Sequence, residues 1–181
     1  MFPEISLNIL DVVQNSIDAH ANLIEISIYT DLVSHTLSVT IKDNGCGMSS
    51  EQLEQVLDPF YTTRTTRNVG LGIPFFRFAA LQTGGSFTIS STLNLETTVI
   101  ATFHQSSIDC MPLGDMISTI LILITMNESI DFLYTYSNSN KSFSLDTREL
   151  RQILGDIPFS TPEIKDFITC YLYEHQLEVD S

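Results

Sequence analysis

The sequence predicts an α+β fold, and three observations carry that prediction. The chain opens on an amphipathic helix, continues in a pair of alternating strands, and returns to a second alternating pair after a helix that begins near Pro74. With 181 residues, 43% hydrophobic and 17% charged, it is long and apolar enough for one globular domain, assigned to residues 1–105. A change of character near Ser106 marks a small C-terminal α/β region, residues 106–181, of a size that needs the first region for stability.

The first helix contains "DVVQNSIDAHA", residues 11–21. At about 100° per residue, Glu4, Asn8, Asp11, Asn15 and Asp18 fall in one narrow arc. Ile5, Ile9, Val12, Val13 and Ile17 occupy the opposite arc, and Leu7 is the exception. A solvated helix face usually mixes charges of both signs. This stripe has no Lys or Arg, so nothing local neutralises Asp11 and Asp18. Short acids and amides without basic partners are the oxygen ligands that a hard cation such as Mg²⁺ takes.

"NLIEISIYT" and "TLSVTIKD" alternate apolar and polar residues and form a hairpin across Asp31–His35. A short helix over 50–57 follows, capped by Ser49 or Ser50. "DPFYTTRTTRNVGLG" has no period and reads as loop. Pro74 suits a first helical position, and the helix it opens stops at Gly84-Gly85. "SFTISS" and "TTVIATF" are two further strands. Beyond 106, "DMISTILILITMN" is either a buried helix capped by Asp115 or a buried strand. "DFLYTY", "SNSNK" and "SFSLD" form a hairpin, Asp146 caps a short helix with Glu149 three residues on, and Gly155 ends it. Thr161-Pro162 starts a last helix with Ile164, Phe167, Ile168, Tyr171 and Leu172 on one face.

Charge excludes some partners. The formal net charge is −14, divided as −6 for residues 1–104 and −8 for residues 105–181. Such a surface repels phosphate backbones and anionic membranes, so neither nucleic acid nor membrane is an expected partner. The start lacks the basic and apolar regions of a signal peptide, and no apolar run nears the ~20 residues of a membrane span. Cys46, Cys110 and Cys170 lack metal-site spacing and fit reduced thiols in a cytoplasmic protein.

Two short glycine boxes carry the chemistry. "DNGCGM" ends a strand with Asp43 followed by Gly45 and Gly47, and "NVGLGIP" sets Gly70 and Gly72 before a helix. Taken singly, the first is a common tight turn. Glycines before a helix let backbone approach an anion, and the free N–H groups of the helix start favour phosphate.

The order of these pieces resembles the GHKL ATPases, the group of DNA gyrase, the heat-shock chaperone, histidine kinases and the mismatch-repair ATPase. "DVVQNSIDAHA" resembles their N box, and "DNGCGM" and "NVGLGI" resemble their two glycine boxes. "DPFYTTR" is similar to the segment before the ATP lid of the kinase branch, and "TTVIATF" to its closing strand. The likeness spans roughly residues 4–104. It implies a two-layer α/β sandwich of the Bergerat type, with ATP and Mg²⁺ as cofactors. Asn15 would coordinate Mg²⁺, and Asp43 would accept a hydrogen bond from the adenine amino group. Gly45 and Gly47 would let the adenine edge approach, Met48 would pack on its face and Thr97 would support it through its hydroxyl. Gly70, Leu71 and Gly72 would cradle the phosphates, with Arg64 or Arg67 neutralising them from the lid. Asp18 would be structural, satisfying nearby backbone.

The chain departs from the pattern at named places. Asp11 stands where the hydrolytic branch has the Glu that activates water, and a missing ~1 Å of reach costs about 10²-fold in rate. Asn68 and Glu96 stand where glycines are usual, and the lid is short. Nucleotide binding is expected to survive these changes, whereas fast hydrolysis is not assured. None of His20, His35, His104 or His175 has the context of a phosphorylated kinase histidine. A kinase reading therefore places the phosphoacceptor on another protein. The resemblance implies a stand-alone ATP-dependent phosphotransferase, histidine- or serine-kinase-like, or a slow ATPase, with Asp11 as its catalytic acid. The alternative is a nucleotide-sensing module in which ATP or ADP sets a partner interaction. The protein substrate or regulatory partner is not named by the sequence, and a homodimer is left open.

Overall fold

The structure, a computed structural model, describes residues 3–57 and 72–181. Helix α1 (Ile5–Asp18) leads into the hairpin β1 (Leu23–Asp31) and β2 (Thr36–Asp43), then α2 (Ser50–Val56), α3 (Gly72–Gln82), β3 (Ser86–Thr92) and β4 (Glu96–His104). The chain continues through α4 (Met116–Met126), β5 (Asp131–Asn138), β6 (Ser142–Asp146), α5 (Thr147–Leu154) and α6 (Pro162–Asp180). All six strands form one sheet of order β3-β4-β2-β1-β5-β6. Every pairing is antiparallel except that of β1 with β5.

Register decides which side chains meet. Ile24, Ile26 and Ile28 of β1 stand opposite Asp43, Ile41 and Val39 of β2, and opposite Phe132, Tyr134 and Tyr136 of β5. Val39 and Ile41 in turn face Ala101 and Val99 of β4. Because side chains alternate along a strand, these residues share one face, and they are buried. Helices α1, α3, α4 and α6 cover that face, and Phe76 of α3 packs on Phe103 with ring centroids 5.7 Å apart. The opposite face is hydroxyl-rich and partly exposed, with Ser27, Ser38, Thr40 and Thr102 among its residues. The molecule is thus a two-layer α/β sandwich in its sheet and helices.

The apolar stretch 116–126 is a helix. Asp115 accepts a hydrogen bond from the Ser118 N–H at 2.9 Å, and the buried Met116, Thr119, Ile120, Leu123 and Ile124 repeat at helical spacing. Ser49, rather than Ser50, caps α2, in a capping box with Gln52. Asp146 does cap α5, by accepting from the Arg148 N–H, and the Arg148 guanidinium doubles the contact. On α6, Ile168 and Leu172 are buried, but Phe167 is 52% exposed, with its ring centroid 6.3 Å from that of Tyr171. His175 is half-buried, stacked on Tyr171 with centroids 4.1 Å apart. Residues beyond 105 build on the same sheet: β5 borders β1, and Arg151 of α5 bonds Asp131 at 3.1 Å where β5 begins.

Candidate functional site

The last residue of β2 is Asp43, and it is 5% exposed. A buried carboxylate needs donors for its oxygens. Asp43 has them: the Ser16 hydroxyl donates to Oδ2 at 2.7 Å and the Gly45 N–H donates to Oδ1 at 2.9 Å. Thr97, also buried, lies directly across from Asp43 on β4. Around this carboxylate opens a cavity of about 370 Å³, lined by Asn15 and Ser16 of α1, Asp43 of β2, Met48 of the following loop and Thr97 of β4, with Val12 and Ile73 among its apolar walls. Its size falls in the range of about 300–1,000 Å³ typical of small-molecule sites.

The loop of residues 44–49 is held from both sides. The Asn44 side-chain oxygen accepts from the N–H groups of Asn22 and Leu23 at 2.8 and 2.9 Å, which ties the loop to the start of β1. The Met48 N–H donates to Ser91 Oγ at 2.8 Å, and Ser91 Oγ lies 2.8 Å from Thr97 Oγ1. Gly47 has φ +60, and a Cβ there would stand 2.1 Å from the Thr92 carbonyl oxygen, so no other residue fits. At Gly45, a Cβ would meet Ala19 and Asp43 at 2.9 Å. The chain's own packing therefore requires both glycines.

Asn15 has its side-chain nitrogen buried without a hydrogen-bond partner among the described residues. A buried amide end costs free energy if left alone, and rotation by 180° exchanges its nitrogen for an acceptor oxygen. Such a group suits a ligand with polar atoms. Asp11, one turn earlier, is half-buried and does not line the cavity; it lies against the start of α3, where a Cβ on Gly72 would be 2.5 Å from its Oδ2. Burial pushes the Asp11 carboxyl above the usual carboxylate range. Asp18 is exposed at the cavity rim and accepts from the Gln14 side-chain amide at 3.0 Å, rather than from backbone. Among the described residues no Lys or Arg lines the cavity, and no three His, Cys, Asp or Glu side chains cluster to hold a metal.

The structure therefore brings Asn15, Asp43, Gly47, Met48 and Thr97 to one cavity, sets Gly45 behind its wall, and places Asp11 and Gly72 in contact beside it. Arg64, Arg67, Gly70 and Leu71 lie outside the described residues. Ser16 was not singled out by sequence reasoning. Its signal was available: positions 12, 16 and 19 share a helix face with Asn15, so a polar residue there points into the same space.

The cavity lies at the end of a mixed sheet, beside the helix that carries the acid and amide stripe. Residues 4–107 match the family described as histidine kinase-, DNA gyrase B-, and HSP90-like ATPase, and the chain belongs to that family. It is a GHKL-type ATP-binding domain. It is similar to the CAI-1 autoinducer sensor kinase/phosphatase CqsS of Vibrio cholerae, 25% identical over 142 residues that cover 78% of this chain and 19% of the relative. It is also similar to sporulation kinase C of Bacillus subtilis, 32% identical over 65 residues, covering 36% of this chain and 15% of the relative. The chain thus spans less than a fifth of the length of these curated relatives. Among solved structures, the Aquifex aeolicus MutL ATPase domain complexed with ADP shares the fold, with a TM-score of 0.50, 14% identity, and coverage of 84% of this chain and 69% of that one. Among the described residues, no helix is long and apolar enough to cross a membrane.

Proposed function

We propose that the protein binds Mg-ATP in the cavity around Asp43 and serves regulation as an ATP-dependent phosphotransferase, or slow ATPase, acting on a separate protein. The observation that carries this reading is the buried Asp43, fixed at both oxygens inside a cavity of nucleotide size. In this reading the adenine amino group donates to Asp43, Thr97 supports the ring through its hydroxyl, and Met48 packs on its face. Gly72, with Gly70 and Leu71 before it, cradles the phosphates, and Arg64 or Arg67 neutralises them. Asn15 would hold Mg²⁺, which would supply the positive charge that offsets the phosphates. The unpartnered Asn15 amide fits that ion, since rotation presents an oxygen donor.

Two of the similar proteins are kinases by name, which supports phosphotransfer. A second reading, a nucleotide-sensing module without useful turnover, has one observation in its favour. Asp11, the proposed catalytic acid, packs on Gly72 outside the cavity wall. The acidic charge of −14 argues for partners other than nucleic acid or anionic membrane, and the free thiols accord with a cytoplasmic setting.

Thermal shift tests the binding. Ligand-linked stabilisation is about 2.7 kcal/mol at a hundredfold excess over Kd. Millimolar ATP with Mg²⁺ is expected to raise Tm, and Asp43→Asn, which sets a donor against the adenine amino group, is expected to remove most of the shift. No response of the unsubstituted protein to Mg-ATP would overturn the proposal. Following γ-labelled ATP into a phosphoprotein, into free phosphate, or into neither separates phosphotransfer, hydrolysis and sensing.

A further inference from the structure

Ser16 occupies an unusual place for a helical serine. A serine inside a helix commonly turns its hydroxyl to solvent or to its own backbone. Ser16 is 4% exposed and gives its single proton to Asp43, which lies 27 residues away and is 5% exposed. At 2.7 Å the bond has the length of a charge-assisted O–H···O⁻ contact. The second oxygen is held by the Gly45 N–H. Two donors from two different elements, one helix and one loop, fix the plane of the carboxylate. The register of β2 against β4 then puts Thr97 beside it. No Lys or Arg among the described cavity residues shares in holding Asp43.

We propose that Ser16 is a positioning residue that gives the site its preference for the adenine amino group. The inference rests on the reading that adenine lies against Asp43. A carboxylate is an acceptor in two directions and rotates freely about χ2 when unrestrained. With Ser16 on Oδ2 and Gly45 on Oδ1, its remaining lone pairs have fixed directions. A fixed acceptor rewards a ring that carries an N–H donor and leaves an acceptor without a partner when the ring lacks one. A site built on a hydrogen bond discriminates strongly for that reason. Without the Ser16 hydroxyl, Asp43 loses a donor and one of the two restraints on its orientation.

Helix α1 supplies an internal control. Ser6 is 1% exposed and donates to Glu4 Oε2 at 3.2 Å, ten residues and nearly three turns from Ser16, outside the cavity lining. It is an equally buried helical hydroxyl whose role is confined to its own end of the helix.

The test compares ATP with purine riboside triphosphate, which differs only by the missing 6-amino group. Affinities for both are measured by calorimetry on the full chain and on Ser16→Ala, Ser16→Thr, Ser6→Ala and Asp43→Asn, each checked for folding by its thermal transition. The full chain is expected to prefer ATP. Ser16→Ala is expected to reduce that preference roughly tenfold, the equivalent of one charge-assisted hydrogen bond, while binding the purine triphosphate nearly as before. Ser16→Thr, which keeps the hydroxyl, and Ser6→Ala are expected to keep the preference. Ser16→Cys provides the same readout if the alanine variant does not fold, since a thiol is a weak donor of similar placement. Equal weakening of both nucleotides by Ser16→Ala would overturn the proposal and leave Ser16 as a tie between α1 and β2. A preference untouched by Asp43→Asn would overturn the placement of adenine as well.

Discussion

The polar stripe of α1 has two halves of similar composition and opposite fate. In the N-terminal half, every group has an intramolecular partner. The Asn8 side chain donates to the Glu4 carbonyl at 3.0 Å, and Glu4 Oε2 accepts from the Asp115 N–H at 3.1 Å. The backbone N–H groups of Ile5 and Ser6 bond the carbonyls of Pro112 and Leu113. Gly114 makes this crossing close, with φ +82 and a hypothetical Cβ 1.8 Å from Glu4 Oε2. In the C-terminal half, the Asn15 amide nitrogen is buried without a partner among the described residues, and Asp11 is half-buried with a raised pKa. One half clasps the segment that leads into α4, and in the other Asn15 is left for a ligand, while Asp18 accepts from Gln14 and Asp11 lies against Gly72. Acid and amide side chains on one helix face thus do not announce a binding site. Within this stripe the unpartnered Asn15 nitrogen, set at the cavity, is the group that points to a ligand, because a folded chain seldom leaves a buried polar group alone without cause.

The largest effect that sharpens this contrast is expected from Asn15→Ala. On the proposed role of Asn15 in holding Mg²⁺, its loss is expected to cost more than the 10–100-fold typical of outer-shell partners, so Mg-ATP affinity should fall by about 10²-fold or more. The ligand-free protein should melt no lower than before, since no hydrogen bond of the Asn15 side-chain nitrogen to a described residue is lost. Calorimetry and a melting curve give both numbers, and a marked drop in Tm with intact affinity would erase the distinction between the halves.

Asn8→Ala is expected to do the reverse. Asn8 is 1% exposed, and removal of its bond to Glu4 is expected to destabilise the fold by about 1–2 kcal/mol. Nucleotide affinity of the folded protein should hold. Denaturant unfolding beside a binding isotherm checks the pair.

The smallest effect concerns Asp11. Burial raises its carboxyl pKa in the folded state, so the folded protein holds that proton more tightly than the unfolded chain. The resulting contribution is fully present below the unfolded value of about 3.9 and is lost as pH rises through the raised folded value. At neutral pH the ionised Asp11 is therefore a liability to the ligand-free fold. Asp11→Asn is expected to raise Tm at pH 7, with the gain shrinking toward pH 4. If Asp11 also orients water, the same variant loses phosphate release while keeping Mg-ATP affinity. A general base contributes about 10²–10⁴-fold in rate. An unchanged release rate would leave Asp11 as a neighbour of Gly72 only.

Local pattern made much of this architecture legible. The alternation of Ile24, Ile26 and Ile28, and of Leu37, Val39 and Ile41, marks strands because a half-buried strand has period two. The caps at Ser49, Asp115 and Asp146 follow from short side chains that satisfy the first N–H groups of a helix. The helix of residues 116–126 was ambiguous because β-branched apolar residues suit either state, and only its cap and packing against α1 and α6 resolve it. Of the site, Asn15, Asp43, Met48 and Thr97 were legible as motif positions. Ser16 was not, because its partner is across the layer rather than along the chain.

By itself, the sequence determined the elements, the acidic character and the family to which residues 4–107 belong. Those properties are local or compositional: they depend on periodicity, caps and glycines at fixed spacing. The parallel pairing of β1 with β5, separated by about a hundred residues, was decided only by the tertiary structure. So was the division of the α1 stripe, where residues 112–115 satisfy Glu4 and its neighbours and no described group satisfies the Asn15 nitrogen. Long-range hydrogen bonds select among polar groups that look alike in sequence, since each depends on which distant donor or acceptor the fold brings within 3 Å or so.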